Sequence, residues 1–195
     1  MNTSPPELPA PAARTPVHTR RITYQGFRRD DGDWDFEARI EDTKQQAFTR
    51  FEGHRLAPDE HYHHMVVRLR VDDALTILAV DGAMRVTPYP ECQGATPPLQ
   101  ELVGATLGRG WRRSVDAALG GTRGCTHVRE MLYNLATVAI QTVPAWLAQQ
   151  HGRAGADDWS GEAPPPFVGG CHAWRRDGAV VLRLFPRFHE PAPKA

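Results

Sequence analysis

Apolar and polar residues alternate along much of the first half of the chain, and this pattern predicts β-strands. The clearest case is residues 34–41, where every second side chain is apolar, as in a strand with one buried face. A turn over 42–44 then lets residues 47–51 pair back onto it. The acidic residues of this segment are expected on its solvated face: Asp35, Glu37, Glu41 and Asp42.

Further strands are predicted before and after this segment. They cover residues 22–27, 65–71, 75–80, 82–86 and 180–185, with turn residues such as Asp72-Asp73 between them. The last of these strands is expected to join the sheet formed by the first half of the chain.

Helical spacing replaces alternation after residue 96. Short helices are predicted over 97–103 and 111–119, and a long amphipathic helix begins at Cys125 and is kinked or ended by Pro144. The order of strands, helices and strands predicts an α+β fold, with a mainly antiparallel sheet and helices packed on one face.

Composition limits the class of protein. Residues 1–18 and 189–195 are rich in proline and alanine, so we expect a disordered lead and tail around one domain over 19–188. Lys+Arg and Asp+Glu are both 23, so the balanced charge predicts no nucleic-acid partner. No apolar run is long enough to cross a bilayer, and no secretory signal is present, so we expect a cytoplasmic protein without membrane contact.

Cysteine and histidine recur at the ends of the predicted elements. Cys125 and His127 open the long helix, Cys92 follows a proline-rich turn, and Cys171-His172 lie near the end of the chain. Helix N-termini favour anionic side chains, so a cysteine there suits nucleophilic or metal-binding chemistry. Thiolate and imidazole together favour zinc or an iron–sulfur cluster over magnesium or calcium.

A second concentration of histidine lies in residues 53–64, which are predicted to form a loop. If the end of this segment is extended, His61 and His63 share one face and His64 points to the other. Three cysteines without an export signal indicate packing, metal or thiol chemistry rather than a disulfide framework.

Over about residues 20–188 the chain resembles an uncharacterised bacterial family, the domain of unknown function family 2889. The motifs that carry the resemblance are Asp31-Gly32-Asp33-Trp34-Asp35-Phe36-Glu37-Ala38, Asp42-Thr43-Lys44, His63-His64-Met65, Pro88-Tyr89-Pro90-Glu91-Cys92, Leu102-Val103-Gly104, Gly108-Arg109-Gly110-Trp111, residues 120–127 and Cys171-His172-Ala173. The family usually has His-Asp-Met where this chain has His63-His64-Met65. The resemblance implies an accessory role in aromatic or steroid catabolism.

From Met65 to the end of the long helix, the chain is also similar to iron–sulfur scaffold proteins of the NifU and SufU type. That similarity implies a NifU/SufU-like core with added N-terminal hairpins. Cys92 and Cys125 match the second and third ligand cysteines of those proteins, and His63 or His64 replaces the first. The resemblance therefore implies a metal site of His63, Cys92 and Cys125. Two candidates stay open for a fourth group: His127 and Cys171.

A zinc ion with three protein ligands and one open position would make the chain a lyase or hydrolase that acts on a small molecule. Glu60, His64 and His127 are the candidate acids and bases. A pocket for a ring-bearing substrate is expected from Tyr24, Trp34, Phe36 and Tyr89. Two alternatives stay open: an iron–sulfur or sulfur carrier of the scaffold type, and a non-catalytic accessory domain stapled by zinc. Zinc is favoured over an iron–sulfur cluster, and the sequence does not determine the oligomeric state.

Overall fold

The structure, a computed structural model, describes residues 8–152, 159 and 161–191. Residues 1–7 of the predicted disordered lead and 192–195 of the predicted tail lie outside this range, and residues 8–17 form neither strand nor helix. The chain divides into two compact units, residues 1–143 and 144–195.

The first unit is built on a four-stranded antiparallel sheet, which confirms the predicted α+β class. Its strands are β1 (His18–Arg28), β2 (Trp34–Lys44), β5 (His61–Val71) and β6 (Ile77–Val86), adjacent in the order β1-β2-β5-β6. Two short strands, β3 (Phe48–Thr49) and β4 (Arg55–Leu56), form a separate hairpin in the connection between β2 and β5.

Several predicted element boundaries in this unit are wrong. Residues 42–44 are not a turn but the end of β2, where they pair with β1. Residues 48–49 pair with β4 and not with β2. The strands predicted over 75–80 and 82–86 are one strand, because Gly82 continues the pairing of β6 with β5.

The two faces of the sheet differ in burial. One face, here called the inner face, carries large apolar side chains that are almost fully buried, among them Phe36, Ile40, Met65 and Leu69. The opposite or outer face carries ion pairs such as the one between Arg68 and Glu37. Alternation therefore places polar residues outside and apolar residues inside, as the pattern of β2 predicts.

Helices supply the other part of the core. The α-helices are α1 (Trp111–Leu119) and α2 (Thr126–Gln150), and 3-10 helices cover Pro90–Ala95, Pro97–Leu102 and Gly121–Arg123. The indole N–H of Trp111 donates to the carbonyl of Leu132 at 2.7 Å, which ties α1 to α2. Helix α2 continues through Pro144 rather than ending there.

A β-bulge at the start of β5 determines which histidines share a face. Asp42 pairs with His63, whereas the next residue of β2 pairs with His61, so Tyr62 is an extra residue in the ladder. The extra residue reverses the alternation. His61 therefore lies beside His64, with ring centroids 5.2 Å apart, and the prediction that His61 shares a face with His63 is wrong.

The second unit contains α3 (Ala179–Leu184) and a 3-10 helix at Pro186–Phe188. Val168, Val181 and Phe185 form its small buried cluster. The strand predicted over 180–185 is wrong, because the four-residue spacing of Val181 and Phe185 places both on one side of a helical turn. No helix in the described residues is long and apolar enough to cross a membrane.

Candidate metal centre

A buried carboxylate lies on the inner face near the end of β2. Asp42 is 0% exposed and follows the same alternation as the buried residues Phe36 and Ile40. Arg20 on β1 donates from Nε to Asp42 Oδ1 and from Nη2 to Oδ2, each at 2.8 Å. This bidentate pair supplies the charge and the hydrogen bonds that a carboxylate requires in a buried position.

Asp42 also holds His63 on the neighbouring strand β5. His63 Nδ1 lies 2.8 Å from Asp42 Oδ2, and His63 is buried. Burial would raise the pKa of Asp42, but the hydrogen bonds from Arg20 and then His63 outweigh that effect and lower it to about 2. Because a carboxylate ion only accepts hydrogen bonds, Nδ1 carries the imidazole proton and Nε2 keeps a free lone pair.

The beginning of α2 contributes a thiol and a second imidazole. The ring of His127 lies 4.2 Å from that of His63, measured between centroids. The Sγ atom of Cys125 lies 3.7 Å from His127 Nδ1. Cys125 immediately precedes the helix, and its carbonyl accepts the N–H of Arg129, so the first turn of α2 fixes the backbone of both residues.

Asp42, His63, Cys125 and His127 are together called the inner cluster. One potential ligand atom of Asp42, of His63 and of His127 lies within 4.8 Å of the other two. Burial lowers the pKa of both histidines, and for His127 the charge of Arg20 lowers it further. Both imidazoles are therefore neutral at neutral pH, which is the form that binds metal ions.

A partly exposed ion pair lies next to the inner cluster. The side chain of Arg20 is 34% exposed and that of Glu130 is 49% exposed, and Arg20 Nη1 lies 3.4 Å from Glu130 Oε2. Glu130 lies one helical turn after His127 on α2.

The structure brings together only part of the site predicted from the sequence. His63 and His127 lie in the inner group of potential ligands, Cys125 lies outside that group but contacts His127, and His64 lies on the outer face. Cys92 is half-buried in the 3-10 helix Pro90–Ala95 and belongs to neither group of potential ligands among the described residues. The two remaining candidates are placed elsewhere: Glu60 Oε2 accepts the N–H of Ala57 at 2.9 Å, and Cys171 is exposed in the second unit.

Sequence reasoning missed the residues that surround His63. Asp42 was expected on a solvated face, and that prediction is wrong because Asp42 continues the even-numbered, buried series of β2. Arg20 lies two residues before Ile22 on β1, so alternation places both side chains on the same face of the sheet. Glu130 is three residues after His127, a spacing that places two side chains on one face of a helix. The two-residue spacing in the strands and the three-residue spacing in the helix are the sequence signals that indicate where these residues lie.

The aromatic pocket predicted from the sequence is not formed by Trp34 and Phe36. Trp34 and Phe36 stack with ring centroids 6.3 Å apart and are 2% and 0% exposed, so they belong to the core rather than to a solvent-accessible wall. Tyr24 shares the inner face with Arg20 on β1, and its hydroxyl is buried. Burial raises the pKa of that hydroxyl.

Comparisons with known proteins give one match. The model of the family described as "Protein of unknown function (DUF2889)" matches residues 18–141, which is more than half of the chain. The matched range contains the whole of the inner cluster. No curated protein and no solved structure matches the chain, so the similarity to NifU and SufU proteins stays a prediction.

Proposed function

The chain belongs to this family of proteins of unknown function, and from its own residues we propose that the inner cluster is a zinc centre that catalyses a lyase or hydrolase step on a small molecule. The observation that carries the proposal is the hydrogen bond between His63 Nδ1 and the buried Asp42. Histidine ligands of zinc commonly donate their second nitrogen to a carboxylate, which fixes the ring and its tautomer.

The spacing of Cys125 and His127 supports the same metal. With Zn–S and Zn–N bonds of ~2.3 and ~2.0 Å and a tetrahedral angle, sulfur and nitrogen ligands lie about 3.5 Å apart. The observed separation of Cys125 Sγ and His127 Nδ1 is 3.7 Å. One cysteine sulfur and two imidazoles form a donor set that favours zinc.

We assign Asp42 a positioning role rather than a place among the ligands. Both of its oxygens accept hydrogen bonds from Arg20, and Oδ2 also accepts one from His63. The guanidinium balances its charge, which weakens its attraction for a cation. The ligands proposed are therefore His63, Cys125 and His127.

Three protein ligands leave one coordination position open, and zinc in such a site polarises a carbonyl group or activates a water molecule. The chain's own contribution is to bury His63 and to fix its imidazole through Asp42. Glu130 is half-exposed beside Arg20, where it can accept a proton from an incoming substrate or water. The proposal keeps ring-bearing compounds as the substrate class implied by the family resemblance.

The donor set does not favour the carrier alternative. Iron–sulfur clusters are usually held by four cysteine thiolates. Cys125 is the one cysteine of the proposed ligand set, and its Sγ atom lies 3.7 Å from His127 Nδ1. A carrier would need further thiolates from other sources.

The first experiment is metal analysis of the full chain purified from a host supplied with zinc. We expect bound zinc in the wild type and loss of one equivalent in Cys125→Ser and in His127→Gln. Cys171→Ser is the matched control, because it removes an exposed thiol of the second unit and should keep the metal. Cys92→Ser should also keep it, whereas loss there would restore the ligand set predicted from the sequence.

A functional screen follows with ring-bearing esters, lactones and β-hydroxy carbonyl compounds. Turnover should be present in the wild type and absent in Cys125→Ser, and zinc should restore it after treatment with a chelator. Wild-type protein that contains no zinc, or turnover that survives both Cys125→Ser and chelation, contradicts the proposal.

A further inference from the structure

We propose that the outer face of the sheet carries a second cation site, formed by Glu41, His61 and His64, which takes a borderline divalent cation such as Zn²⁺, Ni²⁺ or Cu²⁺. One potential ligand atom of each residue lies within 4.8 Å of the other two. Two imidazoles and one carboxylate are a common ligand set for transition metals with open coordination positions. None of the three residues belongs to the inner cluster, so this site does not depend on the proposed function.

The β-bulge at Tyr62 creates this arrangement. Glu41 and His64 are direct partners across β2 and β5, and the extra residue rotates His61 onto the same face. His61 Nε2 then lies 3.7 Å from Glu41 Oε1. Without the bulge, strict alternation would place His61 on the opposite face from His64.

Two buried polar atoms in this region lack a partner. His64 Nε2 and Gln45 Oε1 are both inaccessible to solvent and have no hydrogen-bond partner in the part of the chain that the structure describes. Native proteins rarely leave such atoms unpaired, and a bound ion or water is a common reason when they do. A cation held by His64 would account for the first of these atoms directly.

A polar cavity of about 350 Å³ adjoins the site. Glu41 and His61 line it from the site itself, and Thr43 and Gln45 line it from the end of β2 and the residues that follow. The cavity gives the proposed cation an exposed side, where water or a small exchangeable ligand can complete the coordination sphere.

The ligand types determine which cations fit. Glu41 supplies the only negative charge among the three ligands. Magnesium and calcium, which depend on several oxygen ligands, are therefore disfavoured, and a cation with strong affinity for imidazole is favoured.

The test is a titration of the metal-free full chain with Co²⁺, with bound cobalt counted by elemental analysis and followed by absorption. Cobalt bound to a thiolate gives a charge-transfer band in the near ultraviolet, so Cys125 marks the inner cluster and the outer site gives no such band. We expect two equivalents in the wild type. The double variant His61→Gln/His64→Gln should bind one equivalent and keep the full band.

Cys125→Ser provides the reciprocal measurement, because it should lose the band and keep one equivalent. His54→Gln is the matched control, since it removes an exposed histidine from the same segment and should bind two equivalents. One equivalent without the band, lost in the double variant, would support the outer site and contradict the inner zinc centre. Unchanged binding in the double variant, or a single wild-type equivalent that Cys125→Ser abolishes, would overturn this proposal.

Discussion

The buried ion pair of Asp42 predicts that Asp42→Asn is strongly destabilising. The substitution keeps the size of the side chain but removes its charge. In the variant an amide nitrogen replaces one of the two carboxylate oxygens that accept hydrogen bonds from Arg20 and His63. This nitrogen cannot accept a hydrogen bond, so it faces a donor without a bond between them. The variant therefore leaves the Arg20 guanidinium without its buried counter-ion and with only the half-exposed Glu130 as an acidic partner.

The expected magnitude follows from the exposure of the two partners. Removing one partner of a fully buried ion pair costs ~3–5 kcal/mol. Because the side chain of Arg20 is 34% exposed, water solvates part of its charge in the variant and we expect the low end of this range. A loss of about 3 kcal/mol at an m-value of about 2 kcal/mol/M lowers the urea midpoint by roughly 1.5 M.

The assay is urea unfolding at neutral pH followed by circular dichroism, with metal-free protein. Glu37→Gln is the matched control on the same strand, because Glu37 accepts two hydrogen bonds from Arg68 on the outer face. Exposed ion pairs contribute ~0–1 kcal/mol, so the control midpoint should move by less than about 0.5 M. Adding Arg20→Met to Asp42→Asn should cost little more, since the unpaired charge is then removed.

A midpoint shift in Asp42→Asn no larger than that of Glu37→Gln would refute the reasoning. That result would mean that Asp42 is solvated in the folded protein and does not fix His63. If Asp42→Asn lowers the midpoint strongly and the added Arg20→Met lowers it further, Asp42 is buried as described. That result would also show that Arg20 stabilises the fold through other contacts.

Two further predictions concern the sheet. Gly26→Ala should lower the urea midpoint, because a Cβ there would lie 2.6 Å from the buried ring of Phe36; Gly94→Ala, where a Cβ meets no atom within 4 Å, is the control. The loss should be ~1–3 kcal/mol, the usual cost of overpacking, and equal midpoints would count against the packing described. The hydrogen bond from Trp34 lowers the pKa of Asp73 below its ordinary value of 3.8, so the stability it adds is present above that pH and lost as the pH falls below it. Asp73→Asn should flatten that acid-side slope in unfolding curves measured across pH, and an unchanged slope would oppose this assignment.

The sheet and its helices could be predicted because their patterns are local. Alternation along β2 and helical spacing after Cys125 identify elements that bury one face, and both are confirmed. The strand predicted over 180–185 failed because a run of six apolar-rich residues fits either period. In the second unit Val181 and Phe185, which are four residues apart, are buried in the same cluster, and this spacing favours a helix.

The candidate site could be predicted only in part. His63, Cys125 and His127 were found because histidine and cysteine are conspicuous in a sequence. Asp42 was assigned to the surface, since an acidic residue is usually solvated, although its phase in β2 indicated the opposite. The bulge could not be predicted, because it depends on how β2 and β5 align, and that alignment is a tertiary property.

The position of the extra residue Tyr62 determines which changes in chain length preserve the two groups of side chains. Neighbouring positions of the same two strands supply both groups of side chains, since Glu41 and Asp42 face opposite ways, as do His63 and His64. An insertion between β3 and β4 would leave both groups intact, because the phase of each long strand is unaffected. Deletion of Tyr62 would leave His61 and His64 two positions apart in a regular strand, so His61 would stay on the outer face and both groups would keep their faces. Changes of length are thus tolerated both in the hairpin and at residue 62.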